Sequence, residues 1–176
     1  VYGDVKVLFI PTIYKNTIVC YSWSKSLSLP GERIGYVCVP DSCDNADEIY
    51  KGVAGAARAN GHVCAPTLVQ LVIERCVDEM PDLQAYDENR TLLYDSLTKM
   101  GYRCAKPDGA FYLFVEAPNG DSKAFSEKAK NDFNLLVVPG EGFECPGYLR
   151  LSYCVSNDMI RRSLPAFEKM YEAYKK

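Results

Sequence analysis

Two short runs rich in β-branched and aromatic side chains, residues 17–21 (TIVCY) and 34–39 (IGYVCV), constrain this chain most. Such side chains favour extended backbone over helix, and turn formers bound both runs: Asn16, Pro30-Gly31 and Pro40-Asp41. Each run is nearly continuously apolar, which predicts strands covered on both faces, as in a parallel sheet flanked by helices. The intervening segment SWSKSLSLPGERIGY, residues 22–36, then begins at the carboxyl edge of that sheet, where open α/β folds bind ligands.

Helical periodicity follows. Residues 44–60 carry Asp/Asn caps and end at Gly61; residues 66–79 place Leu68, Leu71, Val72 and Cys76 at helical spacing before Pro81. A long amphipathic helix is expected over 82–100, with Gly101 as its C-terminal signal. Beyond it, short strands are expected at 102–105, 110–116, 135–138 and 148–153. A helix at 121–132 separates the second from the third, and a final helix capped by Ser156 or Asn157 reaches Tyr174. This change predicts an α/β domain over 1–81 and a smaller α+β domain over 82–176, entered through the long helix.

With 48% apolar residues the chain can bury a core, and a net charge of -3 with scattered Lys and Arg argues against a nucleic-acid or anionic-membrane partner. No apolar run is long enough to cross a bilayer. The eight cysteines include no CxxC pair, and Cys20, Cys38 and Cys154 lie inside apolar runs as small hydrophobes. With one histidine, His62, a zinc site is disfavoured, and free thiols in a reducing cytoplasm are expected.

Residues 22–36 carry the chemistry. Ser22 and Ser24 supply hydroxyls beside Lys25, Arg33 supplies a planar fork suited to phosphate, and Gly31 and Gly35 allow close approach. An amine beside a bound phosphoester suits a pyridoxal phosphate enzyme, where lysine joins the cofactor's aldehyde and later acts as a base. Arg58 and His62 are assigned structural roles, residues 140–142 (GEG) are too short for a nucleotide loop, and Glu32 has no evident partner.

SWSKSLSLPGERIGY resembles the cofactor-lysine signature of the class I/II aminotransferases, fold type I of the pyridoxal phosphate enzymes: Ser-x-x-Lys followed by Gly-x-Arg-x-Gly. Four further segments resemble the family in order. Val1-Tyr2 is similar to the end of Asp-Glu-x-Tyr. Residues 64–70 resemble Asn-x-Pro-x-x-x-Gln with Cys64 in the Asn position, residues 107–112 resemble Pro-x-Gly-x-Phe-Tyr, and residues 138–152 resemble a Pro-Gly then Arg-Leu-Ser segment. The resemblance implies the C-terminal part of the PLP-transferase fold: last strands and helices of the large α/β domain, then the small domain. It also implies that Lys25 forms a Schiff base with pyridoxal 5′-phosphate, that Ser22, Ser24 and Arg33 bind its phosphate, and that Tyr2 hydrogen-bonds its phenolic oxygen. Arg150, flanked by Leu149 and Leu151, would grip the substrate α-carboxylate.

The implied function is ping-pong amino transfer between an amino acid and a 2-oxo acid by a homodimer. The family's upstream half supplies a phosphate-cradling loop, a ring stacked on the pyridine and the Asp that protonates it. A chain beginning at Val1 is therefore expected to be an inactive fragment. Two alternatives stay open: a β-eliminating C–S lyase, which would share these residues, and an aminotransferase-like effector domain of a transcriptional regulator.

Overall fold

In a computed structural model, which describes residues 1–175, the first apolar run forms β1 (Val19–Ser22) and the second β2 (Gly35–Cys38). They pair antiparallel, Val19 opposite Cys38 and Ser22 opposite Gly35, in a two-stranded sheet. The expected parallel arrangement is corrected here. A parallel pair needs a crossover helix, whereas these strands are joined through the single-turn helix α1 (Trp23–Ser26). Nor are the strands covered: most of their residues are exposed, including Cys20 and Cys38. Cys154 is exposed too, and Cys43 is the buried thiol instead.

The chain forms two units. The N-terminal unit, Lys6–Pro81, adds α2 (Ala46–Ala59) and α3 (Thr67–Cys76) to the hairpin. Asp47 and Glu48 in the first turn of α2 and Arg58 in its last complement the helix dipole. The only hydrophobic residues buried in this unit are Ile34, Cys43 and Ile73; Phe9, Ile13, Leu68 and Leu71 lie exposed.

The C-terminal unit runs from Asp82 onward and includes Val1–Val5. The break between the units falls after Pro81, and Val1–Val5 pack with the C-terminal unit. Tyr2 is buried, its N–H donates to Asp108 O (3.0 Å) and its hydroxyl to Ala110 O (2.6 Å), so burial leaves neither group unpaired.

In this unit α4 (Leu83–Met100) is capped by Asp82, whose side chain accepts from Ala85 N–H at 2.9 Å, and stops at Gly101 with φ +107°. There follow β3 (Tyr112–Glu116), α5 (Ser122–Phe133), β4 (Val138–Pro139), β5 (Tyr148–Ser152) and α6 (Asn157–Tyr174). The antiparallel sheet has the order β3-β5-β4. Its register sets Leu113 opposite Leu151 and Val115 opposite Leu149, and these four side chains face a core with Leu97 of α4, Phe125 of α5, and Phe167 and Met170 of α6. Tyr112, Phe114, Arg150 and Ser152 alternate onto the other face. Residues 102–105, expected as a strand, contribute only a bridge from Cys104 to Val115, since Pro107 and the turn around Ala110 (φ +58°) follow at once. Among the described residues no helix is long and apolar enough to cross a membrane.

Candidate functional site

The hairpin register builds one end of the N-terminal unit. Ser22 stands opposite Gly35, and Trp23 N–H donates to Ile34 O (3.3 Å), which brings the start of α1 beside the residue that follows Arg33. The approach is tight: a Cβ on Gly35 would lie 2.3 Å from Tyr21 O, so only glycine fits. Ser22 caps α1, its Oγ accepting from Ser24 N–H at 3.1 Å and donating to Ser24 Oγ at 2.7 Å. Lys25, in the same turn, is exposed. Arg33 adopts a left-handed φ of +52° and donates through Nη1 to Pro30 O (2.9 Å), which folds its side chain back over the Pro30-Gly31 turn.

Ser22, Ser24, Lys25 and Arg33 are thus gathered at one end of one hairpin. Among the described residues no carboxylate forms an ion pair with Arg33. Two hydroxyls, an exposed amine and a guanidinium without an acidic partner form a donor set that fits a phosphoester bearing an aldehyde. Sequence reasoning missed the aromatic cluster at this end. Tyr21 stacks on Tyr36 across the strands (5.3 Å between centroids), and Trp23 meets both rings at 5.7 and 5.5 Å. Its signal was available, since Tyr21 directly precedes the lysine segment, Tyr36 ends it and Trp23 lies within it.

The other two expected site residues belong to the C-terminal unit. Tyr2 packs in its core under the Arg90 guanidinium, 4.2 Å from ring centroid to Cζ, with its hydroxyl on Ala110 O. Tyr153 donates to the same carbonyl at 3.1 Å. Burial first, against the opposing effects of the Tyr153 hydrogen bond and Arg90, raises the Tyr2 phenol above its ordinary pKa. In this structure Tyr2 is a core residue whose hydroxyl donates within its own unit.

Arg150 lies at the middle of β5, opposite Phe114 on one side and Val138 on the other, half-buried. Its Cζ sits 3.9 Å from the Phe143 ring centroid and 4.5 Å from that of Tyr112. Among the described residues no carboxylate pairs with Arg150, and aromatic rings flank its guanidinium instead.

A model of the family "Aminotransferase class I and II" matches residues 2–167. A crystal structure of an amino transferase from Eubacterium rectale is 57% identical with a TM-score of 0.93, covering 100% of this chain and 44% of that one. An aspartate aminotransferase of Thermotoga maritima is 28% identical over 96% of this chain and 44% of its own length. A probable aspartate/prephenate aminotransferase of Aquifex aeolicus is 30% identical over 98% and 46%. The chain therefore spans just under half the length of these relatives. Matched over nearly all its residues, and folded as the corresponding part of the PLP-transferase fold, this chain belongs to the class I and II aminotransferases.

Proposed function

We propose that the protein carrying this chain moves an amino group between an amino acid and a 2-oxo acid by a ping-pong mechanism, with Lys25 as the reacting amine. The observation that carries this reading is the gathering of Ser22, Ser24, Lys25 and Arg33 by the β1–β2 register. Pyridoxal 5′-phosphate, when bound, supplies an electrophilic aldehyde and a sink for the electrons released at the substrate's Cα. The Ser22 and Ser24 hydroxyls and the Arg33 guanidinium bind its phosphate, and a bidentate fork suits that role better than a point charge. With the cofactor bound, Lys25 Nζ would hold its aldehyde as the reacting amine and, once freed by an incoming amino group, would take the proton from the substrate's Cα. Arg150 holds the α-carboxylate that all such substrates share.

Side-chain selectivity rests on residues beyond this chain. Because the chain spans under half of its relatives, activity is assigned to the whole protein, a homodimer, and the 176-residue chain alone is expected not to transaminate. Exposed apolar side chains such as Phe9, Ile13, Leu68 and Leu71 are surface for the rest of the protein and a second subunit to cover. Eight free thiols fit a reducing cytoplasm. The test is a donor screen on the full-length protein, following cofactor absorbance with L-aspartate, L-phenylalanine and L-leucine. Lys25→Ala is expected to abolish the donor-driven change; an unaltered response in that variant would remove Lys25 from the mechanism.

A further inference from the structure

An arginine that receives a carboxylate must be rigid enough to be in place and yet keep its N–H groups unused. An acidic neighbour would fix Arg150 but consume those donors. Among the described residues no carboxylate pairs with Arg150 and no hydrogen bond engages its guanidinium. What holds it is the Phe143 ring at 3.9 Å and the Tyr112 ring at 4.5 Å. Attraction to a ring face is not a hydrogen bond, so it orients the cation and leaves its donors to a ligand.

Phe143 itself is held by backbone. It ends the 3-10 turn Gly140–Phe143, and the chain reverses through Glu144 at φ +54° so that Cys145 N–H donates to Gly140 O (3.0 Å). Gly140 is buried, and a Cβ there would lie 2.2 Å from Cys145 O and 2.7 Å from Tyr148 O. Ser122 Oγ donates to Glu141 Oε1 (2.7 Å), tying the turn to α5. Phe114, opposite Arg150 in the sheet, meets the Phe143 ring edge-on at 6.3 Å. The GEGF segment thus has a use other than nucleotide binding: it delivers one ring to one guanidinium.

We propose that Phe143, assisted by Tyr112, is a positioning residue that presents Arg150 to the substrate's α-carboxylate. This rests on the reading of Arg150 as the carboxylate-binding group. The test is steady-state kinetics of the full-length protein with whichever donor of the screen responds. Phe143→Leu is expected to raise KM for that donor about tenfold while kcat changes less than about twofold, because removing ground-state and transition-state binding equally moves KM alone. Phe143→Tyr and Phe143→Trp, which keep a ring face, are expected to restore KM. In the full-length protein the Arg150 Nε–Hε resonance, assigned by its loss in Arg150→Lys, is expected to be shifted by the rings and to lose that shift in Phe143→Leu.

If Arg150→Ala leaves KM unchanged, or if no donor responds, the underlying reading fails and the proposal with it. If Arg150→Ala raises KM but Phe143→Leu does not, the proposal alone fails. A rise in Phe143→Leu that Tyr and Trp do not reverse overturns it as well, since filling space rather than presenting a ring would then be the role. Should Phe143→Leu not fold, Tyr112→Leu serves as the second variant; an unchanged Arg150 resonance and KM in it would overturn the assistance assigned to Tyr112.

Discussion

Three tyrosines show how single side chains couple burial to solution conditions. Tyr2 and Tyr153 both donate to Ala110 O, and Tyr102 donates to Phe167 O at 2.8 Å. Burial is the main cause raising all three phenols above the ordinary value of 10.0. A raised value means that the folded state holds the proton more tightly than the unfolded chain does. Their contribution is therefore complete below pH 10 and is lost as pH climbs past it. Urea midpoints are expected to fall as pH rises past the ordinary tyrosine value, and Tyr102→Phe should flatten part of that fall. The family role implied for Tyr2 could not be weighed against this from sequence. Tyr2 and Ala110 lie 108 positions apart, and nothing local pairs a phenol with a particular carbonyl.

At the scale of elements, a buried amide links α4 to the β5–α6 connection. Asn89 is buried, and its Nδ2 donates to Tyr153 O (3.1 Å) and Val155 O (2.7 Å) while Asn157 Nδ2 donates to its Oδ1 (3.2 Å). Asn89→Ala leaves two carbonyls without this donor and is expected to cost about 2 kcal/mol or more, read as a drop in urea midpoint. Elements with strong local signals were legible: α4 from its Asp82 cap to Gly101, α5 and α6 from their caps and periodicity, β1 and β2 from β-branched and aromatic content. Sheet orientation was not. Near-continuous apolarity in β1 and β2 predicts two-sided cover, but apolarity reports what a strand could bury, not what is present to bury it. The lysine and arginine of residues 22–36 were likewise legible as a set, because one hairpin register gathers them. The ring clamp on Arg150 was not, because Tyr112, Phe143 and Arg150 come from three separate segments.

Across the whole molecule, stability is divided unequally. The C-terminal unit joins Leu97, Leu113, Phe125, Leu149, Tyr153 and Met170 in one core, while the N-terminal unit buries Ile34, Cys43 and Ile73. Opening free energy follows buried apolar contact. Amide hydrogen exchange of the 176-residue chain should show α4, β5 and α6 protected at the global level and β1, β2 and α3 exchanging through cheaper local opening. Equal protection in both units would contradict this ledger of burial.

The seat of Tyr2 has a kinetic side. Its bonds to Asp108 and Ala110 join residues more than a hundred positions apart in the chain. Closing so long a loop costs roughly 2 kcal/mol more entropy than closing one of about ten residues. Contacts of that separation are expected to form after the local helices and the β3–β5 pairing. The C-terminal unit is then expected to condense first and to receive the Tyr2 ring afterwards, from the opposite side of the whole Lys6–Pro81 unit in sequence.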